Sequence, residues 1–267
     1  MNILRNYISK VFYKLYTVTS RQNEYFSPSE KDVYLVSYPR SGNTWMRVIL
    51  AELIYSKSGE SLNDLGYYIP DIYWKPKKED VIKSEFNVIK SHELFSIPQY
   101  GPHNKVIYII RDPRDVVISY FKYKTAFGLS IQFDQFVFDW INGRIKPSSW
   151  QEHINSWTGK GIENHKMKIH YVKYEDLLIN SFEEVKKISE FINIKKSRDE
   201  IENAIKKASL EKMQKKEELG FRDDIKDVNY NFIGPGKSRN WEKFLSSSQE
   251  NEITQLAHDE MERFGYI

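Results

Sequence analysis

The residues best able to do chemistry fall in three short runs. The first is Val33-Tyr34-Leu35-Val36-Ser37-Tyr38-Pro39-Arg40-Ser41-Gly42-Asn43-Thr44-Trp45. It reads as a buried strand, a tight polar turn and the start of a helix. Free backbone N–H groups at a helix start point outward and carry partial positive charge, so this geometry cradles an anion. The amides of Ser41 to Trp45 wrap the oxyanion, the Ser41 and Thr44 hydroxyls add donors, and Arg40 adds a full charge. The common nucleotide loop is G-x-x-x-x-G-K-[ST]. Here there is one glycine, and the basic residue precedes it. Taken alone, the run is equally an ordinary βα turn with Gly42 left-handed and Asn43 or Thr44 as the cap.

The second run extends from Lys105 to Ser119, with Arg111-Asp112-Pro113-Arg114-Asp115 at its centre. Again a buried strand ends in a basic residue and turns into a capped helix. Arg111 falls at the carboxyl end of that strand, where open α/β sheets bind ligands. Ser119 shares its face of the helix, so the two can grip a second phosphate; the bland alternative is an Arg111–carboxylate pair that pins the turn. The third run is Asn87-Val88-Ile89-Lys90-Ser91-His92-Glu93. A histidine just past a strand end stands where substrates bind and suits proton abstraction near neutrality, although a lone histidine is more often structural. Lys90 points to the same side as His92 if the strand continues.

The elements that must position these residues alternate strand and helix. Strands are predicted at Asp32–Tyr38, Asn87–Lys90, Lys105–Ile110 and Lys168–Lys173. Helices are predicted at Thr44–Ser56, from Pro113 onward with Asp112 as N-cap, and at Phe133–Asn142, Ser149–Thr158, Ser181–Ile192, Arg198–Glu218 and Ser246–Phe264. Residues 57–84 and 221–239 read as loops. The pattern predicts a single α/β domain over residues 26–267, with a central parallel sheet flanked by helices. Before it, residues 1–25 read as an amphipathic helix, with Leu4, Ile8, Val11, Phe12 and Leu15 at helical spacing and Arg5, Lys10 and Lys14 between them. That helix either docks on the domain or rests on a membrane surface. Lys10 and Lys14 interrupt what would be the apolar core of a secretory leader.

Composition narrows the function. Forty Lys+Arg against 37 Asp+Glu leave a net charge of +3 in 267 residues, which argues against a general nucleic-acid binder and requires anion binding to come from local clustering. There is no cysteine, so disulfides, thiolate catalysis and cysteine metal sites are excluded, and a reducing, cytoplasmic location fits. No segment is apolar for long enough to span a bilayer, and no ligand cluster for a metal is evident.

Taken in order, the runs resemble the sulfotransferases that use 3′-phosphoadenosine-5′-phosphosulfate (PAPS). Tyr38 through Trp45 is similar to that family's 5′-phosphosulfate loop, and Arg111 through Ser119 to its 3′-phosphate motif. Lys90-Ser91-His92 resembles its Lys-Thr-His segment. Tyr171 through Asp176 resembles its Tyr-Glu-Asp strand end, where the tyrosine, here Tyr174, reaches the nucleotide. Ser209-Leu210 falls where the family presents residues to the adenine, and Gly234 through Trp241 resembles its late glycine-rich loop. The resemblance covers roughly Val33 to Glu252 and implies a P-loop-NTPase-like topology. It implies His92 as general base, Arg40 and Lys90 stabilising the transferring group, and no metal. The donor would be held by Arg40, Ser41, Gly42, Asn43, Thr44, Trp45, Arg111, Ser119, Tyr174, Ser209, Leu210, Gly236, Lys237, Ser238 and Arg239, with Trp45 stacked on the adenine and PAP as product.

The chain departs from the family in three places. Arg40 stands where a lysine is usual, and arginine is a forked, permanently charged clamp rather than a proton donor. Gly234-Pro235 replaces the late Arg-Lys pair, leaving Lys237 or Arg239 to carry that charge. Ser247-Ser248 replaces a Thr-Val pair of the dimer motif, so the oligomeric state stays open. The acceptor is a small molecule or a glycan, sulfated at oxygen or nitrogen, and its pocket is expected along residues 57–84 and the Phe121–Trp150 region, whose aromatics Tyr123, Phe127, Phe133, Phe136 and Trp140 are more often core than substrate contacts. Two other readings compete: a P-loop-like phosphotransferase, disfavoured by the missing G-x-x-x-x-G-K-[ST], and a non-catalytic nucleotide binder, disfavoured by His92 with Lys90.

Overall fold

The structure, a computed structural model, describes residues 31–72, 82, 85–95, 104–159, 167–220 and 230–267. The helix expected over residues 1–25 lies outside them, as does much of the 57–84 and 221–239 loops.

Four strands form a parallel sheet in the order β2-β1-β3-β4: β1 (Val33–Ser37), β2 (Val88–Ser91), β3 (Lys105–Ile110) and β4 (Lys168–Lys173). The two inner strands are apolar almost throughout because both faces are covered. Alternation sorts their side chains into two cores. Val33, Leu35, Ile107 and Ile109 face one; Tyr34, Val36, Val106, Tyr108 and Ile110 face the other.

The first core is closed by α1 (Asn43–Tyr55), α2 (Leu65–Tyr68), α6 (Tyr174–Ile179), α7 (Ser181–Phe191), α8 (Arg198–Lys207) and α9 (Leu210–Glu218). The second is closed by α3 (Pro113–Ala126), α4 (Phe133–Ile141), α5 (Trp150–Thr158), α10 (Ser247–Leu256) and α11 (His258–Arg263). The backbone of Pro70 to Ile72 extends the sheet beside β2: Lys90 N donates to Pro70 O (2.8 Å) and Ile72 N to Lys90 O (2.9 Å).

Two expected helices are each broken in two. Arg198–Glu218 ends at Ala208, which is buried in the first core, and restarts from Ser209 in an extended conformation. Ser246–Phe264 breaks at Ala257, which turns inward with Met261. In both, the break lets a second apolar anchor reach the core. The short helix α6, directly after β4, was not expected from the sequence.

Candidate active site

The carboxyl ends of all four strands lie on one edge, and each delivers a residue singled out by the sequence. Arg40 follows β1, His92 follows β2, Arg111 follows β3 and Tyr174 follows β4. The chain steps from β1 to β2 on one side, then to β3 on the other, which is the switch point where such sheets open a crevice.

The turn after β1 is shaped for an anion. Gly42 is left-handed (φ 98°), and a Cβ there would sit 2.6 Å from Tyr174 Cδ2, so the turn lies directly against that ring. No side chain caps α1 and no acidic residue stands in its first turn. Its first amides are therefore left for a ligand. Ser41 Oγ is fully buried without a hydrogen-bond partner, and Asn43 Oδ1 is likewise unpaired. Asn43 Nδ2 donates to Ser37 Oγ (3.2 Å), tying the turn to the end of β1. Thr44 and Trp45 are half-buried, and Trp45 meets Tyr174 edge-on at 5.9 Å.

Arg40 (φ 71°) turns its guanidinium sideways. Its Nε donates to Ser119 Oγ (3.2 Å) and its Nη2 to Phe232 O (2.9 Å), and it stacks on the Phe232 ring at 4.3 Å. Burial pulls its pKa down from the usual value, and Arg111 adds to this against the tyrosines nearby. Arg111 lies over the Tyr174 ring at 4.4 Å and donates to Arg40 O (3.1 Å) and Lys237 O (3.3 Å). It thus joins the first turn to the late loop. The start of α3, unlike that of α1, is already satisfied. Asp112 accepts from Arg114 N (2.9 Å) as N-cap, and Asp115 accepts from Arg239 N (2.7 Å) and Trp241 N (3.1 Å). An anion there must rely on the side chains of Arg111 and Ser119.

His92 is held by its ring. Nδ1 lies 2.7 Å from Ser37 O, and a carbonyl only accepts, so Nδ1 carries the proton and Nε2 the lone pair. Burial, and then the nearby Lys90 ammonium, push its pKa well below the usual histidine range. It is neutral at pH 7, as a base must be. Lys90 Nζ forms an ion pair with Asp71.

The late-loop and adenine-side residues sit further out. Ser209 and Leu210 lie at the break between α8 and α9, and Leu210 approaches Gly236, whose Cβ position is 3.7 Å from Leu210 Cδ2. Lys237, Ser238 and Arg239 are exposed, and the Arg239 guanidinium is bound to Glu242 (Nε, 2.9 Å), away from the site. Of the aromatics weighed as core or pocket, Phe136 and Trp140 are core residues at 0 % and 2 % exposure; they pack α4 against Tyr120 and Tyr38. Sequence reasoning missed Asp71, Glu217 and His153. Glu217 accepts from Phe232 N and from Ile233 N (2.9 Å), holding the segment that holds Arg40. His153 shares the apolar helix face of Trp150, Ile154 and Trp157, and that spacing was its only signal.

Comparison with known proteins supplies the family. The family model described as "Sulfotransferase domain" matches residues 30–265. The chain is 26% identical to Sulfotransferase 2A6 of Rattus norvegicus over 259 residues, covering 90% of this chain and 87% of that one. It is 28% identical to Sulfotransferase 1E1 of Bos taurus over 216 residues, covering 76% and 72%. In fold it is similar to retinol dehydratase, solved with androsterone and the inactive cofactor PAP, at a TM-score of 0.69 and 18% identity over 87% of this chain and 81% of that one. The chain therefore belongs to the sulfotransferase domain family, on the strength of a match that runs from before β1 to the end of α11.

Proposed function

We propose that this protein transfers a sulfuryl group from PAPS to a hydroxyl or amine of a small-molecule acceptor, with His92 as general base. The observation that carries the reading is the pairing, on one sheet edge, of an uncapped helix start with a neutral histidine whose Nε2 holds a lone pair. The turn fits a phosphosulfate: Ser41 Oγ is buried and unpaired, Gly42 leaves no side chain in the cradle, and Arg40 and Arg111 flank it. When bound, PAPS supplies an activated sulfuryl group.

The chain's own residues do the rest. The α1 amides, Ser41 and Thr44 hold the 5′ side, and Arg111 and Ser119 hold the 3′-phosphate. Lys237 supplies the late-loop charge, because Arg239 is committed to Glu242. Trp45, Tyr174, Ser209, Leu210, Gly236 and Ser238 border the nucleoside. His92 Nε2 takes the acceptor's proton as the acceptor attacks. Lys90 and Arg40 offset charge that develops on the leaving oxygen, by the positioning and electrostatics that dominate such group transfers. A solved fold neighbour was crystallised in complex with androsterone and PAP, which supports a small-molecule acceptor.

The test is turnover of purified His92→Ala with labelled PAPS across a panel of phenols, sterols, amines and sugars. A drop of about 10² or more in kcat, with PAP binding retained, is expected of a lost general base. Turnover near wild type overturns the assignment.

A further inference from the structure

Helix α5 is fastened to the segment that carries His92. Three hydrogen bonds do this: His153 Nε2 donates to His92 O (3.2 Å), Trp157 Nε1 donates to Glu93 O (3.0 Å), and Phe95 N donates to Ser156 Oγ (3.1 Å). His153 is fully buried. A backbone carbonyl only accepts, so His153 Nε2 carries the proton. Its Nδ1 then has the lone pair and accepts from Tyr108 OH at 2.8 Å, on the central strand β3. Both nitrogens are committed, and the tautomer is set from two sides. Burial drives the His153 pKa down to about 4, so this neutral form is the one present at pH 7.

We propose that His153 is a positioning residue that pins the backbone of His92 and so aims its Nε2; this rests on reading His92 as the base. The ladder between β1 and β2 ends at the Val36–Ser91 pair, so His92 is the first residue past the sheet. Its ring is tied at Nδ1 to Ser37 O. A ring tied at one atom pivots if its backbone drifts. The bond from His153 supplies a second fixed point, anchored through Tyr108 to an inner strand of the sheet. It reaches the carbonyl and not the ring, so it relays no proton to the base and acts through geometry. Small displacements of a catalytic group are expensive, because rate depends steeply on the near-attack geometry.

The test compares His153→Gln with His153→Leu in the full-length enzyme. The glutamine amide can donate to the same carbonyl; leucine cannot. With wild-type donor affinity, His153→Leu is expected to lower kcat about tenfold while KM for PAPS stays within about twofold. Its His92 ring ¹⁵N signals should show mixed tautomers in place of one. His153→Gln should recover kcat to within about threefold of wild type and restore the single His92 signature. If His153→Leu does not fold, His153→Asn, whose amide is too short for the carbonyl, takes its place. Wild-type kcat in the leucine or asparagine variant overturns the proposal, as does a glutamine variant no better than leucine. His92→Ala is run in parallel. If it is inactive while His153→Leu is fully active, only the positioning role falls; if it retains turnover, the base assignment falls and the positioning role with it.

Discussion

Gly42 shows how much of the donor turn is decided by one residue. Its φ of 98° is a conformation that side chains strain to adopt, and a Cβ would meet Tyr174 Cδ2 at 2.6 Å. Alanine there must move either the turn or the Tyr174 ring on which Arg111 lies at 4.4 Å. The backbone strain alone is about 1–2 kcal/mol. Gly42→Ala is therefore expected to weaken PAP binding by tenfold or more, roughly that strain converted to affinity, and to lower thermal stability. Calorimetric titration with PAP measures it, and unchanged affinity would show that the turn does not form the cradle. The positions of Gly42, Arg40 and His92 were legible from the sequence because each sits one to five residues past a strand end. Their partners were not. Arg40 meets Phe232 and Ser119, and His92 meets Ser37, across separations that no local pattern encodes.

At the scale of elements, the start of α3 is the joint on which the site turns. Asp112-Pro113 is a capping signal that can be read directly, and the helix begins at Pro113 as expected. Asp115 stands in the first turn of this helix. Its carboxylate in fact receives two backbone donors of the late loop, Arg239 N and Trp241 N, more than 120 residues away. The helix breaks at Ala208 and Ala257 escaped the sequence for a related reason. Lys- and Glu-rich helical composition runs straight across the first, and only packing against the core marks either break. Asp115→Ala leaves both loop amides without their acceptor. Amide hydrogen exchange at Arg239 and Trp241 should speed by about 10–10², the equivalent of losing roughly 1–3 kcal/mol of local protection. Affinity for PAP should fall in step, with kcat at saturating donor changed less. Exchange rates that match wild type at both amides would refute the tie.

For the whole molecule, packing in and around the sheet leaves buried and half-buried histidines that pH can probe. His153 has its pKa lowered to about 4 by burial, and burial also lowers those of His92 and His170. In the unfolded chain each returns to about 6.5. Between these values the unfolded state binds more protons, so stability rises with pH and falls as pH drops below 6.5. Burial raises the pKa of Asp115 and Glu175, and these oppose the trend wherever they titrate, because there the folded state takes up protons first. Both carboxyls are the same in a variant changed only at His153, so the difference between that variant and wild type isolates the histidine. Replacing His153 by glutamine removes one titrating group and should flatten the slope by up to about 1.4 kcal/mol per pH unit. Urea unfolding of wild type and His153→Gln at pH 7 and pH 5 gives the comparison. Converging stabilities at pH 5 are expected, because the wild type loses there what the glutamine variant never had to lose. Parallel slopes would mean that His153 titrates alike in the folded and unfolded chain, so that burial does not hold it neutral.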